Sequence, residues 1–198
     1  MDKIVHKLSS LLTDSLNYDE EQRAVVQYGL YAILQIVFIA IVIIVFGILA
    51  GCLFECCIVY LSVAVLRKST GGAHAKTSNG CLVASIICVS LFGFGTHYIT
   101  LLNYGSYICY VLSPVFFIAA CLIVYKLAPV DNPNKPIKSP QKIKRLRLQS
   151  FYILIVYILL AVILFIVSFY YKRALNLLFS LSVAVFWQSL TLLKAVIK

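Results

Sequence analysis

Apolar residues in this chain fall in long, nearly unbroken runs, not in the half-polar periodicities of soluble helices and strands. Between residues 24 and 66 the only charged side chain is Glu55. A membrane-spanning helix needs about 20 mostly apolar residues. One span would leave too much chain over, so the stretch predicts a helical hairpin over 24–66, turning in the region of Gly47, Gly51 and Cys52 to Glu55. The next runs cover 81–101 and 107–125, parted by the neutral turn Asn103-Tyr104-Gly105-Ser106, and supply helices 3 and 4 of a segment 81–125. Runs over 151–171 and 175–193, parted by Lys172 and Arg173, supply helices 5 and 6 of a segment 151–193. The pattern predicts an all-α, polytopic integral membrane helical bundle of about six transmembrane helices, forming a single membrane domain over 1–198.

The polar segments add orientation. Residues 1–23 contain Asp14, Asp19, Glu20 and Glu21 and do not read as a cleavable signal peptide. Leu8, Leu11, Leu12 and Leu16 recur every three to four residues, which suits an amphipathic N-terminal helix lying on the membrane. A short soluble helix packed on a loop fits the same spacing equally well. Residues 126–150 are basic and Pro-rich, with Lys126, Lys135, Lys138, Lys142, Lys144, Arg145 and Arg147. They read as a loop followed by a basic surface helix from Gln141 onward. Six spans put both termini on one face, together with the 67–77 and 126–150 loops. Of 17 basic residues, only Lys172 and Arg173 then fall on the other face. The bias of Lys and Arg toward the cytoplasm makes the first face cytoplasmic, in a cell membrane. A single span over 24–66 would put the basic loops outside, which again favours the hairpin.

Composition agrees with the membrane reading and narrows the chemistry. Apolar residues make up 62% of the chain and charged residues 12%, against roughly 45–50% and 25% in soluble domains. The formal net charge of +10 sits in loops between spans, where it meets anionic lipid headgroups. No nucleic-acid partner is expected. The seven cysteines (Cys52, Cys56, Cys57, Cys81, Cys88, Cys109 and Cys121) are odd in number, mostly within apolar runs, and form no CxxC pair beside a His-rich stretch. That excludes a disulfide framework and a zinc site. No metal or other cofactor is expected.

Residues 67–81 are a candidate catalytic segment on the cytoplasmic face. They join two apolar helices, carry Gly71, Gly72 and Gly80, and place His74 seven residues before Cys81. A cysteine nucleophile acts as thiolate and needs a base, and an imidazole can take the thiol proton and later protonate a leaving amine. In one continuous helix the two Cα atoms would lie about 10 Å apart along the axis, too far for a direct hydrogen bond. A working dyad therefore predicts a break at Asn79-Gly80, with Cys81 opening the third helix, where a helix N-terminus favours thiolate. On residues alone the segment supports no more than a membrane protein with a candidate thiol site.

The same segment closely resembles the signature of the AgrB family, the accessory gene regulator B membrane proteases of Gram-positive quorum sensing. Arg67, Gly72-Ala73-His74-Ala75 and Cys81 carry the resemblance, and Ala128-Pro129-Val130-Asp131-Asn132-Pro133-Asn134-Lys135-Pro136 looks like the family's second, APxDxxNKP, motif. The resemblance implies a membrane cysteine endopeptidase that cuts an AgrD-type precursor peptide on its C-terminal side. It also implies closure of the remainder into a thiolactone or lactone autoinducing peptide through an acyl-enzyme thioester. It assigns Cys81 as nucleophile, His74 as general base and acid, and Arg67 and Gly72 as support for the site. A homodimer is a further implication. An acidic tail on the precursor would suit Lys135, Lys138, Lys142, Lys144, Arg145 and Arg147, although lipid contact and topology account for the same charges.

Other residues read more plainly. His97 is expected to be a hydrogen-bonded helix residue and Glu55 to sit near the outer turn within reach of water. Asp131 reads as a turn former, and Trp187, Tyr170 and Tyr171 as interfacial or packing residues. The alternative function is a non-catalytic membrane peptide transporter or scaffold. It calls for ionisable residues in several spans, and this chain has almost none.

Overall fold

The computed structural model describes residues 19–73, 78–130 and 139–196, and every regular element among them is a helix. These are α1 (Glu20–Leu49), α2 (Leu53–Thr70), α3 (Ser78–Ile99), α4 (Gly105–Leu127), α5 (Pro140–Ser168) and α6 (Lys172–Val196). The N-terminal segment with Leu8, Leu11, Leu12 and Leu16 lies outside the described residues. All of these helices except α2 are long and apolar enough to cross a membrane. Helix α2 has 18 residues and includes Glu55, Arg67 and Lys68. The all-α, multi-pass helical bundle predicted from the hydrophobic runs is the fold observed.

The chain divides into two compact units, Met1–Val42 and Ile43–Lys198. The described part of the first is the start of α1. Helix α1 opens with a reciprocal cap: the Gln22 amide N–H donates to Asp19 Oδ1 at 2.7 Å, and the Asp19 N–H donates to Gln22 Oε1 at 3.2 Å. Two of the orphan N–H groups of the first turn are satisfied in this way.

The second unit begins with the last two turns of α1, which closes at Gly51. Glycine is needed there because the residue takes φ 70°. The Cys52 N–H reaches Gly47 O at 2.9 Å and the Gly51 N–H reaches Ile48 O at 3.3 Å, the paired bonds of a left-handed helix stop. The break between α1 and α2 therefore covers Ala50, Gly51 and Cys52, and Glu55 lies inside α2 rather than in the turn.

Helix α6 forms the core of this unit. In its most apolar stretch 67% of residues are buried, against 17%, 28% and 22% in α3, α4 and α5. Its buried face carries small residues, among them Ala174, Ser180, Ser182, Ala184 and Ser189. Small residues let helices approach closely where no hydrophobic effect drives them together. The hydroxyls of Ser180, Ser182 and Ser189 bond back to the carbonyls of Asn176, Leu178 and Val185 at 2.7–2.8 Å, so their burial strands no polar atom. Phe186 stacks on Phe116 of α4 and Trp187 packs on Phe92 of α3, with ring centroids 4.7 and 5.0 Å apart. Leu91, Val115, Ile118, Ile155, Leu159 and Ile163 are exposed on the outer sides of α3 to α5. An apolar perimeter of that kind is the surface a bilayer covers.

Side-chain bonds fix which helix ends meet. At one end, the Tyr98 hydroxyl of α3 reaches Ala50 O, and the Tyr110 hydroxyl of α4 meets that of Ser168 of α5. At the other end, the Val130 N–H after α4 donates to Thr70 O of α2, and Arg147 of α5 donates to Tyr125 O of α4. One boundary differs from expectation. The basic segment from Gln141 is not a separate surface helix but the first turns of α5, which runs on without interruption to Ser168. No Gly or Pro stands between residues 141 and 168 to break it.

Candidate functional site

The site grows from the way α2 stops. Its last turn spends the Ser69 and Thr70 hydroxyls on Leu66 O, at 3.0 and 2.9 Å. Gly71 and Gly72 then take φ 73° and 138°, conformations that side chains disfavour. The corner they make is also crowded. A Cβ on Gly71 would collide with Val130 O, and one on Gly72 would lie 2.6 Å from Thr191 Oγ1 and 3.3 Å from Gln188 Nε2.

Beyond the corner the chain is fastened to α6. The Ala73 N–H donates to Thr191 O at 3.0 Å. The Arg67 guanidinium reaches forward from α2, and its Nη2 donates to Ala73 O at 2.5 Å. Both backbone polar groups of Ala73 are thus held, one by the last helix and one by a charged donor, the stronger kind of hydrogen bond. Gln188 of α6 is fully buried, and its Nε2 donates to Gly71 O at 2.8 Å and to Thr70 Oγ1 at 3.2 Å. The Val130 N–H donates to Thr70 O at 2.9 Å, which joins the Ala128-Pro129-Val130 segment to the same corner. The two motifs singled out in the sequence, about sixty residues apart, meet here.

Of the expected site residues, Arg67 and Gly72 are part of this junction. Cys81 is half-buried in the first turn of α3, and its carbonyl accepts the Ser85 hydroxyl at 2.8 Å. Helix α3 starts at Ser78, so the break expected at Asn79-Gly80 is absent and both residues are helical. A helical turn tolerates one glycine, whose cost there is backbone freedom, about 1 kcal/mol. His74 lies outside the described residues, as do Asp131, Lys135 and Lys138. Lys142, Lys144, Arg145 and Arg147 are all exposed along the first turns of α5. Arg147 is engaged there, donating to Tyr125 O at 3.2 Å with its guanidinium 5.9 Å from the Tyr125 ring centre.

A second polar cluster sits at the opposite end of the bundle. Glu55 is 2% exposed, so it is not the water-reached turn residue expected. Its Oε1 accepts from Asn176 Nδ2 at 3.2 Å and lies 2.9 Å from His97 Nδ1. The first turn of α2 packs against α3 and α6, and a carboxylate removed from water there needs donors. His97 is the hydrogen-bonded helix residue expected. Among the described residues, no three His, Cys, Asp or Glu side chains are grouped to hold a metal ion.

Sequence reasoning missed Gln188, Thr191 and the junction with Val130. One signal was available: an amide side chain inside an apolar run is costly in a membrane unless bonded, and Gln188 stands in such a run.

These features define a multi-pass helical membrane protein with a glycine corner pinned at one end of its bundle. The profile of the family Accessory gene regulator B (AgrB) matches residues 2–192, and the chain belongs to that family. It is 34% identical to a protein described as AgrB-like from Clostridium perfringens (strain SM101 / Type A), over 96% of this chain and 91% of that one. A second AgrB-like protein, from Clostridium perfringens (strain 13 / Type A), is 32% identical over 97% and 91%. Accessory gene regulator protein B of Staphylococcus intermedius is 29% identical over 87% and 86%. No solved structure matches the chain.

Proposed function

We propose that this protein is a membrane-embedded cysteine endopeptidase that cleaves the C-terminal part of an AgrD-type precursor and closes the remainder into a cyclic signalling peptide. The observation that carries the reading is the junction of the glycine corner with α6. The backbone that leads into His74 is held at Gly71 and Ala73, and Cys81 opens α3 at the same end of the bundle. Both termini and this end face the cytoplasm, because that orientation keeps all basic residues but Lys172 and Arg173 inside.

In this mechanism His74 takes the Cys81 thiol proton, and the sulfur attacks the scissile carbonyl. Collapse of the tetrahedral intermediate breaks the C–N bond, His74 protonates the departing amine, and the precursor remains as a thioester on Cys81. A cysteine within the precursor then attacks that thioester, forms the thiolactone and returns the thiol of Cys81. A serine in its place would give a lactone. Ring closure outruns hydrolysis when the internal nucleophile is held near the carbonyl and water is kept out. Amide-to-thioester exchange is uphill, and removal of the products drives it. Arg67 and Gly72 act by shaping the corner. Lys142, Lys144 and Arg145, with Arg147, Lys135 and Lys138, offer charge to an acidic precursor tail as well as to lipid headgroups.

The test is cleavage of the precursor by the chain in lipid vesicles, with products weighed by mass spectrometry. Cys81→Ala and His74→Ala should each abolish cleavage while membrane insertion persists. Cleavage by either variant defeats the reading, and no cleavage by the unaltered chain returns the protein to the class of transporters or scaffolds.

A further inference from the structure

In the proposed cleavage one group has no partner. When the Cys81 sulfur attacks the scissile carbonyl, the C=O π pair moves onto oxygen, and that oxyanion needs a donor aimed at it. The donor has to lie beside Cys81. Side chains four residues apart on a helix share a face, with Cβ atoms about 5–6 Å apart. Four residues after Cys81 stands Ser85, and both are half-buried in α3.

The Ser85 hydroxyl already touches the Cys81 backbone, donating to its carbonyl at 2.8 Å. In a helix that carbonyl also takes the Ser85 N–H. The hydroxyl is therefore a second donor on an oxygen that has one, and its release strands no acceptor. Rotation about χ1 into the wells that most helical side chains occupy turns the hydroxyl back over the turn that carries Cys81. Ser180, Ser182 and Ser189 make the same kind of bond, but they are completely buried in α6. Ser85 is open to a chain that arrives beside Cys81. The next hydroxyl along α3 belongs to Ser90, which falls on the opposite face of the helix from Cys81.

We propose that Ser85 is a catalytic residue of the peptidase, its hydroxyl donating to the oxyanion of the intermediate formed on Cys81. The inference rests on the peptidase reading above, through the role of Cys81. No proton changes hands, and the O–H bond stays intact while the substrate oxygen carries charge. As the intermediate collapses, the electron pair returns to the carbonyl, the C–N bond breaks, and the hydroxyl goes back to Cys81 O. Attack of the precursor's own thiol on the thioester raises an oxyanion at the same place, so one donor serves cleavage and ring closure alike.

The test uses the full chain in lipid vesicles with its precursor peptide. Ser85→Ala removes the donor and suits a helix. Its kcat should fall by roughly 100-fold with KM little changed, because the donor acts on charge that develops only after binding. Ser85→Thr keeps a hydroxyl and should stay near the wild-type kcat. Alkylation of Cys81 by iodoacetamide passes through no oxyanion, so its rate in Ser85→Ala should equal that of the wild type. A role confined to helix shape or to the thiolate would slow alkylation and cleavage together. Wild-type kcat in Ser85→Ala, a matching loss of alkylation, or a kcat in Ser85→Thr as low as in Ser85→Ala overturns this inference. With Cys81→Ala inactive, the peptidase reading then still stands. Cleavage by Cys81→Ala overturns both. If Ser85→Ala fails to insert, Ser85→Cys decides, since it is close to serine in shape and offers only a weak S–H donor. A deep loss of cleavage there supports the inference, and undiminished cleavage overturns it.

Discussion

Replacing Gly72 by alanine tests the corner directly. The backbone there has φ 138°, where a residue with a Cβ is strained by about 1–3 kcal/mol. The new methyl would also lie 2.6 Å from Thr191 Oγ1, so that hydroxyl must rotate away. It now donates to Gln188 O at 2.7 Å, and giving up that bond costs about 0.5–1.5 kcal/mol. Together the two costs come to about 2–4 kcal/mol against the fastened corner, or about 30- to 1000-fold in its population. Precursor cleavage in vesicles should fall by that order, while the melting temperature of the helical bundle changes little, because the strain sits in two loop residues. The double variant Gly72→Ala/Thr191→Ala removes the clash but not the strain, so it should recover about tenfold and no more. Wild-type cleavage by Gly72→Ala would refute the geometry. Full recovery in the double variant would show that the backbone conformation costs nothing.

Three further outcomes follow from other contacts. Arg67→Lys retains the charge but not the reach of the planar fork to Ala73 O, so cleavage should fall by roughly tenfold or more with insertion unchanged, measured in the same vesicle assay; undiminished activity would count against that bond. Glu55→Ala leaves His97 and Asn176 without their shared acceptor and should cost about 1–3 kcal/mol of stability, read as a lower melting temperature in detergent. Because the cluster lies at the end of the bundle away from Cys81, cleavage at permissive temperature should persist. Neutralising Lys142, Lys144 and Arg145 together should raise KM for a precursor with an acidic tail and flatten its salt dependence, leaving kcat in place; an unchanged KM would assign those charges to lipid alone.

Much of the fold was legible because hydrophobic runs in a membrane protein are long and charges rare. That the stretch 24–66 holds two helices followed from its length, and Gly51 fills the left-handed position that the stop between them needs. Boundaries were less legible where a polar segment is itself a good helix. The stretch from Gln141 looked like a separate element because its composition changes at Ser150, yet nothing in it breaks backbone hydrogen bonding, and α5 takes in both parts. Asn79 and Gly80 were likewise assigned to a break, because a His74–Cys81 dyad called for one, yet both fit in an opening helical turn. At the corner, Arg67 and Gly72 were singled out through the family resemblance. Gln188, Thr191 and Val130 were not, because their part depends on long-range contacts with the corner that no spacing encodes. Glu55 was located correctly along the chain but assigned to water, since sequence does not show that His97 and Asn176 converge on it.

The place of α6 in the chain order has a consequence for timing. Spans are synthesised and inserted from the N-terminus onward, and α6 is the last of the six described helices. The loop leading to His74 emerges more than a hundred residues before Gln188 and Thr191, the residues that pin it. During that interval α2 to α5 lack their shared partner, and the corner keeps only its bonds from Arg67 and Val130. On the peptidase reading, a half-made chain cannot cut: the thiol is armed only when the final span slides into the middle of the others, a built-in delay that protects the nascent membrane protein's neighbours from a premature protease.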